Sequence, residues 1–272
     1  MSMNVVRSGL ALSLLSLILL TGCRTPSEAP GSPTSADETT PQDPAEREAV
    51  LAALQTIKED ALRDAFSRLP RYRYTRYHRT EQADDTRRRT AFAERITRFD
   101  GQENQRARTL LQADSAGVFE TGMPGRFVDD GSDEHDAAAW PQAVLLDDPP
   151  YLAPRNRDAF VYRIRPDTTL WDAATQVLEI YARPGIGDAQ SIRRTHLYLD
   201  RASGELVAIY IERTEDVLFF REESRFYLHI RPAPDGGWVP YAARFRTRLH
   251  LPLRSALQFH AVSAYYNYEP VG

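Results

Sequence analysis

The chain has 272 residues, 34 Lys and Arg against 38 Asp and Glu, a net charge of −4 and 42% hydrophobic residues. That balance leaves no basic footprint for nucleic acid, and a single cysteine allows no internal disulfide, so the folded part must rest on its core. Lys58 is the only lysine, which leaves one position for a lysine nucleophile and puts the remaining basic charge on arginine.

Arg7 precedes an uncharged apolar stretch from Gly9 to Leu20. About a dozen residues suit the apolar region of a secretory leader and fall short of the ~20 that a spanning helix needs. Leu20-Thr21-Gly22-Cys23 follows. This tetrad resembles the lipobox of bacterial lipoproteins, in which the cysteine is acylated and the chain is cut just before it. The resemblance implies a signal peptide over residues 1–22 and a lipid anchor at Cys23; the alternative is an ordinary secretory leader with an incidental cysteine. Each buried methylene contributes ~0.8 kcal/mol, so two or three acyl chains hold a protein to a bilayer. No later apolar run is long enough to span a membrane.

Residues 23–43 form the acylated cysteine and its tether. Arg24 to Gln42 is rich in Pro, Ser, Thr and Gly, and such a stretch buries too little apolar surface to offset its ordering entropy. The remaining chain, 44–272, reads as one domain. Asp43 is a candidate N-cap, with Pro44 at the first helical position and Glu46 placed to close a capping box. Val50, Leu51, Leu54, Ile57, Ala61, Ala65 and Leu69 follow at helical spacing, which predicts one helix ending at Pro70. The helix is either a lid over a cavity or plain core packing.

From Arg71 the period falls to two. Val239, Tyr241, Ala243, Phe245, Thr247 and Leu249 alternate with Ala242, Arg244, Arg246, Arg248 and His250, an apolar face against a basic one. Leu257, Phe259 and Ala261 continue the pattern. Leu197 and Leu199 lead through Asp200-Arg201-Ala202-Ser203-Gly204 into Val207, Ile209 and Ile211, and Phe226, Leu228 and Ile230 run into Asp235-Gly236-Gly237; both read as hairpins. Further strands are predicted near 72–80, 90–99, 106–112, 159–165 and 175–183. Nine or ten sequential strands favour a meander that curls on itself. An insertion over 114–158 breaks the rhythm. It holds an acidic run, Asp129 to Asp136, and an apolar segment, Trp140 to Leu146, in which a short helix is expected to cover the open end of the sheet.

Motifs for a serine hydrolase, zinc protease, nucleotide-binding loop or dinucleotide fold are absent from the sequence, so neither an enzyme nor a cofactor is expected. His196, His229, His250 and His260 fall in the last strands, but hairpin register scatters them; His229 should lie near Ala242, far from His250. The acidic run is a possible calcium ligand set without EF-hand spacing. Arg71, Arg73, Arg76 and Arg79 on the first strand form a wet face or an anion-steering row. The apolar rows either fill one another's gaps or line a cavity for acyl chains.

Helix first, then a long antiparallel meander with a helical insertion, is similar to the lipoprotein-localisation superfamily of LolA and LolB, which includes the stress sensor RseB. Leu197 to Leu206, Gly236-Gly237-Trp238-Val239-Pro240 with Phe245, and the closing strand Val262 to Tyr268 carry the likeness. The resemblance implies a mainly β fold: a curved antiparallel half-open barrel of roughly eleven strands with an N-terminal helix and a helical plug or lid. It implies a cavity for acyl chains of a lipid or an acylated protein, lined by Leu197, Leu199, Ile209, Ile211, Phe226, Leu228, Tyr241, Phe245 and Phe259, with Trp171 or Trp140 near its mouth. The family's lid-holding arginine lies on an early strand, where four arginines compete. Cys23 followed by Arg24, and not by the Asp of inner-membrane retention, points by resemblance to the periplasmic side of the outer membrane. A protein partner recognised by a filled-core, RseB-like module is the alternative.

Overall fold

The computed structural model describes residues 41–57, 61–101, 108–120, 141, 145, 148–170, 173–217 and 220–271. Asp43 caps the first helix, α1 (Pro44–Thr56), by accepting the N–H of Ala45 at 2.9 Å. Glu46 does not close the expected capping box; its carboxylate accepts the N–H of Ile164 at 2.8 Å. The predicted single helix is also divided. Ile57 is extended (φ −69, ψ 124) and a second helix, α2, spans Ala61–Ser67. The reason is the curvature beneath them, since α1 packs on one strand near an edge while α2 packs on strands farther round the sheet. A straight rod of both lengths cannot follow that bend.

The strands are β1 (Tyr72–Ala83), β2 (Arg89–Phe99), β3 (Arg108–Ala116), β4 (Phe160–Leu170), β5 (Ala173–Ala182), β6 (Ile192–Asp200), β7 (Leu206–Val217), β8 (Phe220–Pro232), β9 (Trp238–His250) and β10 (Leu257–Pro270). They form one antiparallel ten-stranded sheet in the order β3-β2-β1-β10-β9-β8-β7-β6-β5-β4. The resemblance had implied roughly eleven; among the described residues there are ten, with Leu257 to Tyr268 making one strand. The sheet is curved and open, with β3 and β4 as its edges, a half-open barrel. Every strand pair joins sequence neighbours except the β1–β10 seam, which joins the first and last strands, while the consecutive strands β3 and β4 lie at opposite edges.

Turn chemistry holds the hairpins as the sequence predicts. Asp200 accepts the Ser203 N–H at 2.8 Å with Gly204 at φ 72, and Asp235 accepts the Gly237 N–H at 3.1 Å with Gly236 at φ 81. Gly101, after β2, adopts φ 52, and a Cβ there would stand 2.3 Å from the Tyr72 carbonyl, so glycine is required. The core sits between the helices and one face of the sheet. Val50, Leu54, Leu62 and Phe66 from the helices meet Leu178, Ile180, Leu197, Ile209, Leu228 and Tyr265 from the strands.

Candidate functional site

Two helices roof the inner face of the sheet. α1 is held at its β4 end by the Gln42 side chain, which donates to the Tyr162 carbonyl at 2.5 Å, and by an Arg47–Asp158 ion pair at 2.9 Å. α2 buries Leu62, Ala65 and Phe66, and the Phe66 ring meets Tyr265 edge-on at 6.0 Å. Between the α1–α2 junction and strands β6 and β7 a cavity of about 90 Å³ remains. Leu54, Ile57 and Leu62 roof it, and Leu197, Ile209 and Ile211 floor it. Leu145, Pro149, Tyr151 and Leu152 close its side. Arg63 also lines it and donates to the Leu145 carbonyl at 2.9 Å.

Besides Arg63, a second polar residue breaks this apolar lining. Thr195 is 0% exposed, and its Oγ1 has no hydrogen-bond partner among the described residues. A buried hydroxyl left without a partner costs on the order of 1–3 kcal/mol, so an apolar cavity holding one is chemically unfinished.

Away from this cavity the inner face is filled. Tyr74 stacks on Phe99 at 4.8 Å and approaches Tyr265 at 6.3 Å. Farther along β1 the inner face turns polar. His78 Nδ1 lies 2.9 Å from Ser263 Oγ, and Thr80 Oγ1 lies 3.1 Å from His78 Nε2. Of the four early arginines only Arg76 faces inward; it is 2% exposed and its guanidinium lies 5.4 Å from the Phe99 ring centre. Arg71 and Arg73 are exposed, Arg73 pairing with Asp100 and Glu269, and Arg79 pairs with Glu81 and Glu94.

The outer face carries an ionic cluster. Glu179 meets Arg165 at 2.7 Å, His196 at 3.1 Å and Arg194 at 3.5 Å. Burial pushes the Glu179 carboxyl up, but the hydrogen bond and attraction of His196, with the attraction of Arg165 and Arg194, outweigh it and hold the group below its ordinary range. No group of three His, Cys, Asp or Glu converges as a metal site among the described residues, and His229 stands opposite Ala242 as register predicts.

The residues expected to line an acyl cavity divide. Leu197, Ile209 and Ile211 do line the cavity. Leu199, Phe226, Leu228 and Phe245 belong to the filled core, and Phe259 is buried near the far end of the sheet, outside that core cluster. Tyr241 does not join the inner row. His229 pairs with Ala242 and the next residue, Ile230, with Pro240, so Tyr241 is the extra residue of a β-bulge. Its ring lies 5.7 Å from His229 and beneath Arg231 at 4.8 Å. Cys23, Trp140 and Trp171 lie outside the described residues, as does most of the expected 141–146 helix. Sequence reasoning missed Ile192, Thr195 and Arg63 as cavity residues. A threonine and an arginine in period-two or helical surroundings read as wet-face residues, and only the fold turns these two inward.

No family model matches the chain, and no curated protein matches it. Among solved structures, a DUF1329 family protein from Desulfovibrio piger is similar at 10% identity over 83% of this chain and 93% of that chain, with a TM-score of 0.29. The protein MucB is similar at 11% identity over 75% and 92%, TM-score 0.22. At these values the likenesses carry no functional weight. A LolA superfamily protein from Nitrosomonas europaea, at 12% identity over 84% and 94% with a TM-score of 0.24, also stands among the structural neighbours of this chain.

Proposed function

We propose that the protein captures the acyl chain of a lipid or of an acylated protein between its helical roof and the sheet, without covalent chemistry, while anchored through Cys23 to the periplasmic side of a bacterial outer membrane. The observation that carries this reading is the aliphatic cavity under the α1–α2 junction, with the partnerless Thr195 hydroxyl in its wall. At about 90 Å³ the cavity is smaller than the ~150 Å³ hole that admits benzene and far below the ~300–1,000 Å³ of ordinary ligand sites. Binding therefore requires the roof to move. We assign that movement to α2, which contributes Leu62, Ala65 and Phe66 and is separated from α1 by the break after Ile57. Uncovering three such side chains costs about 5 kcal/mol, whereas burying a twelve-carbon chain contributes about 10 kcal/mol gross.

The test is mass spectrometry of an organic extract from residues 24–272, purified from a bacterial periplasm without detergent. Stoichiometric phospholipid or acylated peptide is expected. Its absence, together with no uptake of a fluorescent fatty acid by folded protein, overturns the reading.

A second reading is favoured by the aromatic filling of the rest of the interior, where Phe66, Tyr74, Phe99 and Tyr265 leave no room for a chain. On that reading the domain is a protein-interaction module with a closed core. It is distinguished by a crosslinked partner recovered with no lipid.

A further inference from the structure

The sheet face turned away from the helices carries a charge imbalance that begins on β7 at Glu212, directly after the cavity residue Ile211. Along β9, Phe245 and Thr247 are buried while Arg246 and Arg248 are exposed. The two guanidiniums therefore leave the same outer face, about 7 Å apart by strand rise. Register extends this into rows. Glu212, Arg225, Arg246, His260 and Glu81 stand opposite one another from β7 to β1, and Glu223, Arg248 and Gln258 form the row beside them. These rows line a groove of about 900 Å³, which Arg87 and Arg89 also line from the β1–β2 turn. That volume is on the scale of small-ligand sites.

Six arginines and three glutamates line the groove, and the glutamates are already engaged. Glu81 serves Arg79 and Arg89, Glu212 holds Arg225 at 2.9 Å, and Glu223 holds Arg221 at 3.2 Å. Arg246 and Arg248 have no carboxylate in ion-pair range among the described residues. Arg246 also stands directly across from Arg225, and opposed like charges on neighbouring strands destabilise a sheet. The surplus is felt nearby. His260 is pushed down to about 4, by burial first and then by Arg246, with Arg244 and Arg79 adding to it against Glu81. Its Nε2 is buried and has no hydrogen-bond partner among the described residues. A fold that keeps like charges opposed and leaves an imidazole nitrogen unused has placed them there at some cost in stability.

We propose that this groove binds a ligand carrying two or more phosphate groups, held by the guanidiniums of Arg246 and Arg248 with Arg87 and Arg89 at its rim. Phosphate matches the guanidinium fork with two parallel charge-assisted hydrogen bonds. Two forks two residues apart on one face call for two such groups, where a single carboxylate satisfies only one. The bound polyanion screens Arg225 from Arg246.

The experiment titrates the full chain in neutral detergent with inorganic pyrophosphate at low salt, where screening is weakest. Saturable binding is expected, weaker by about tenfold or more in Arg246→Gln/Arg248→Gln, and unchanged in Arg71→Gln/Arg155→Gln, which removes the same charge from exposed sites elsewhere. Near-ultraviolet circular dichroism checks that each variant is folded. Absence of saturable binding, equal loss in both double variants, or inorganic phosphate binding as tightly as pyrophosphate overturns the proposal. Displacement of pyrophosphate by cardiolipin-doped micelles, and not by phosphatidylcholine-doped ones, identifies a lipid headgroup as the natural source. Displacement by neither identifies a soluble diphosphate-class ligand.

Discussion

Glu179 and Arg165 are joined at 2.7 Å on the outer face, with the Glu179 side chain 1% exposed and the Arg165 side chain 24% exposed. Arg194, whose side chain is 11% exposed, shares the same carboxylate. Removing one member of such a pair leaves buried charge uncompensated, which typically costs 3–5 kcal/mol. Glu179→Gln should therefore lower the unfolding free energy by about 3 kcal/mol at neutral pH, read from urea denaturation; a loss under about 1 kcal/mol refutes the assignment. The pH dependence has a definite sign. The folded-state pKa is held below the unfolded value, so the stabilisation is present above the unfolded pKa and disappears as pH falls through the folded one. Wild type and Glu179→Gln should converge in acid below the ordinary carboxylate range.

His229 and His260 titrate in a separate window. Burial, with Arg231 for His229 and with Arg246, Arg244 and Arg79 for His260, pushes both down to about 4. The unfolded chain takes up these protons near pH 6.5, before the folded one does. Stability is thus full above that pH and falls toward pH 4, at up to about 1.4 kcal/mol per pH unit for each ring. His229→Phe preserves a ring against Tyr227 and Tyr241 and should roughly halve the slope between pH 6.5 and 4.5. A slope identical to wild type shows that His229 is not held neutral.

Why some of this was legible in the sequence and some was not follows from what alternation encodes. Period two names the two faces of each strand, so Leu197, Ile209 and Ile211 read as one apolar face, the face that lines the small cavity, and hairpin turns set His229 opposite Ala242. A bulge is one extra residue with no compositional mark, and it took Tyr241 out of its expected row. The break after Ile57 is equally silent, because the helical stripe continues through it and only the curvature of the sheet divides it. The arginine groove depends on register across strands. Each arginine row reads as a solvated face by itself, and which guanidiniums lack a carboxylate emerges only when β7 to β10 are laid side by side.

Acylation at Cys23 predicts a simple cellular outcome. If Cys23 carries the proposed acyl chains, Cys23→Ser should abolish incorporation of labelled palmitate and release the protein from membranes into the periplasmic fraction. Retention of label or of membrane attachment removes the lipid anchor from the proposal.

Thr195 offers a test in which stability and binding move in opposite directions. Its hydroxyl is buried in the cavity wall without a partner among the described residues, and valine has nearly the same shape with a methyl in its place. Thr195→Val should raise the unfolding free energy of the empty protein by about 1 kcal/mol, because an unsatisfied polar group is removed. If the carbonyl or carboxyl end of an acyl ligand completes that hydroxyl, the same change should weaken a fluorescent fatty acid by about fivefold, the worth of one hydrogen bond. Gain of stability with unchanged affinity places the polar end of the ligand elsewhere, with Arg63 at the same cavity as the next group to replace. Loss of stability instead means the hydroxyl is satisfied in the folded protein, and the cavity has no built-in partner for a polar guest. The paired gain and loss is the signature of a residue kept for binding at the expense of the fold.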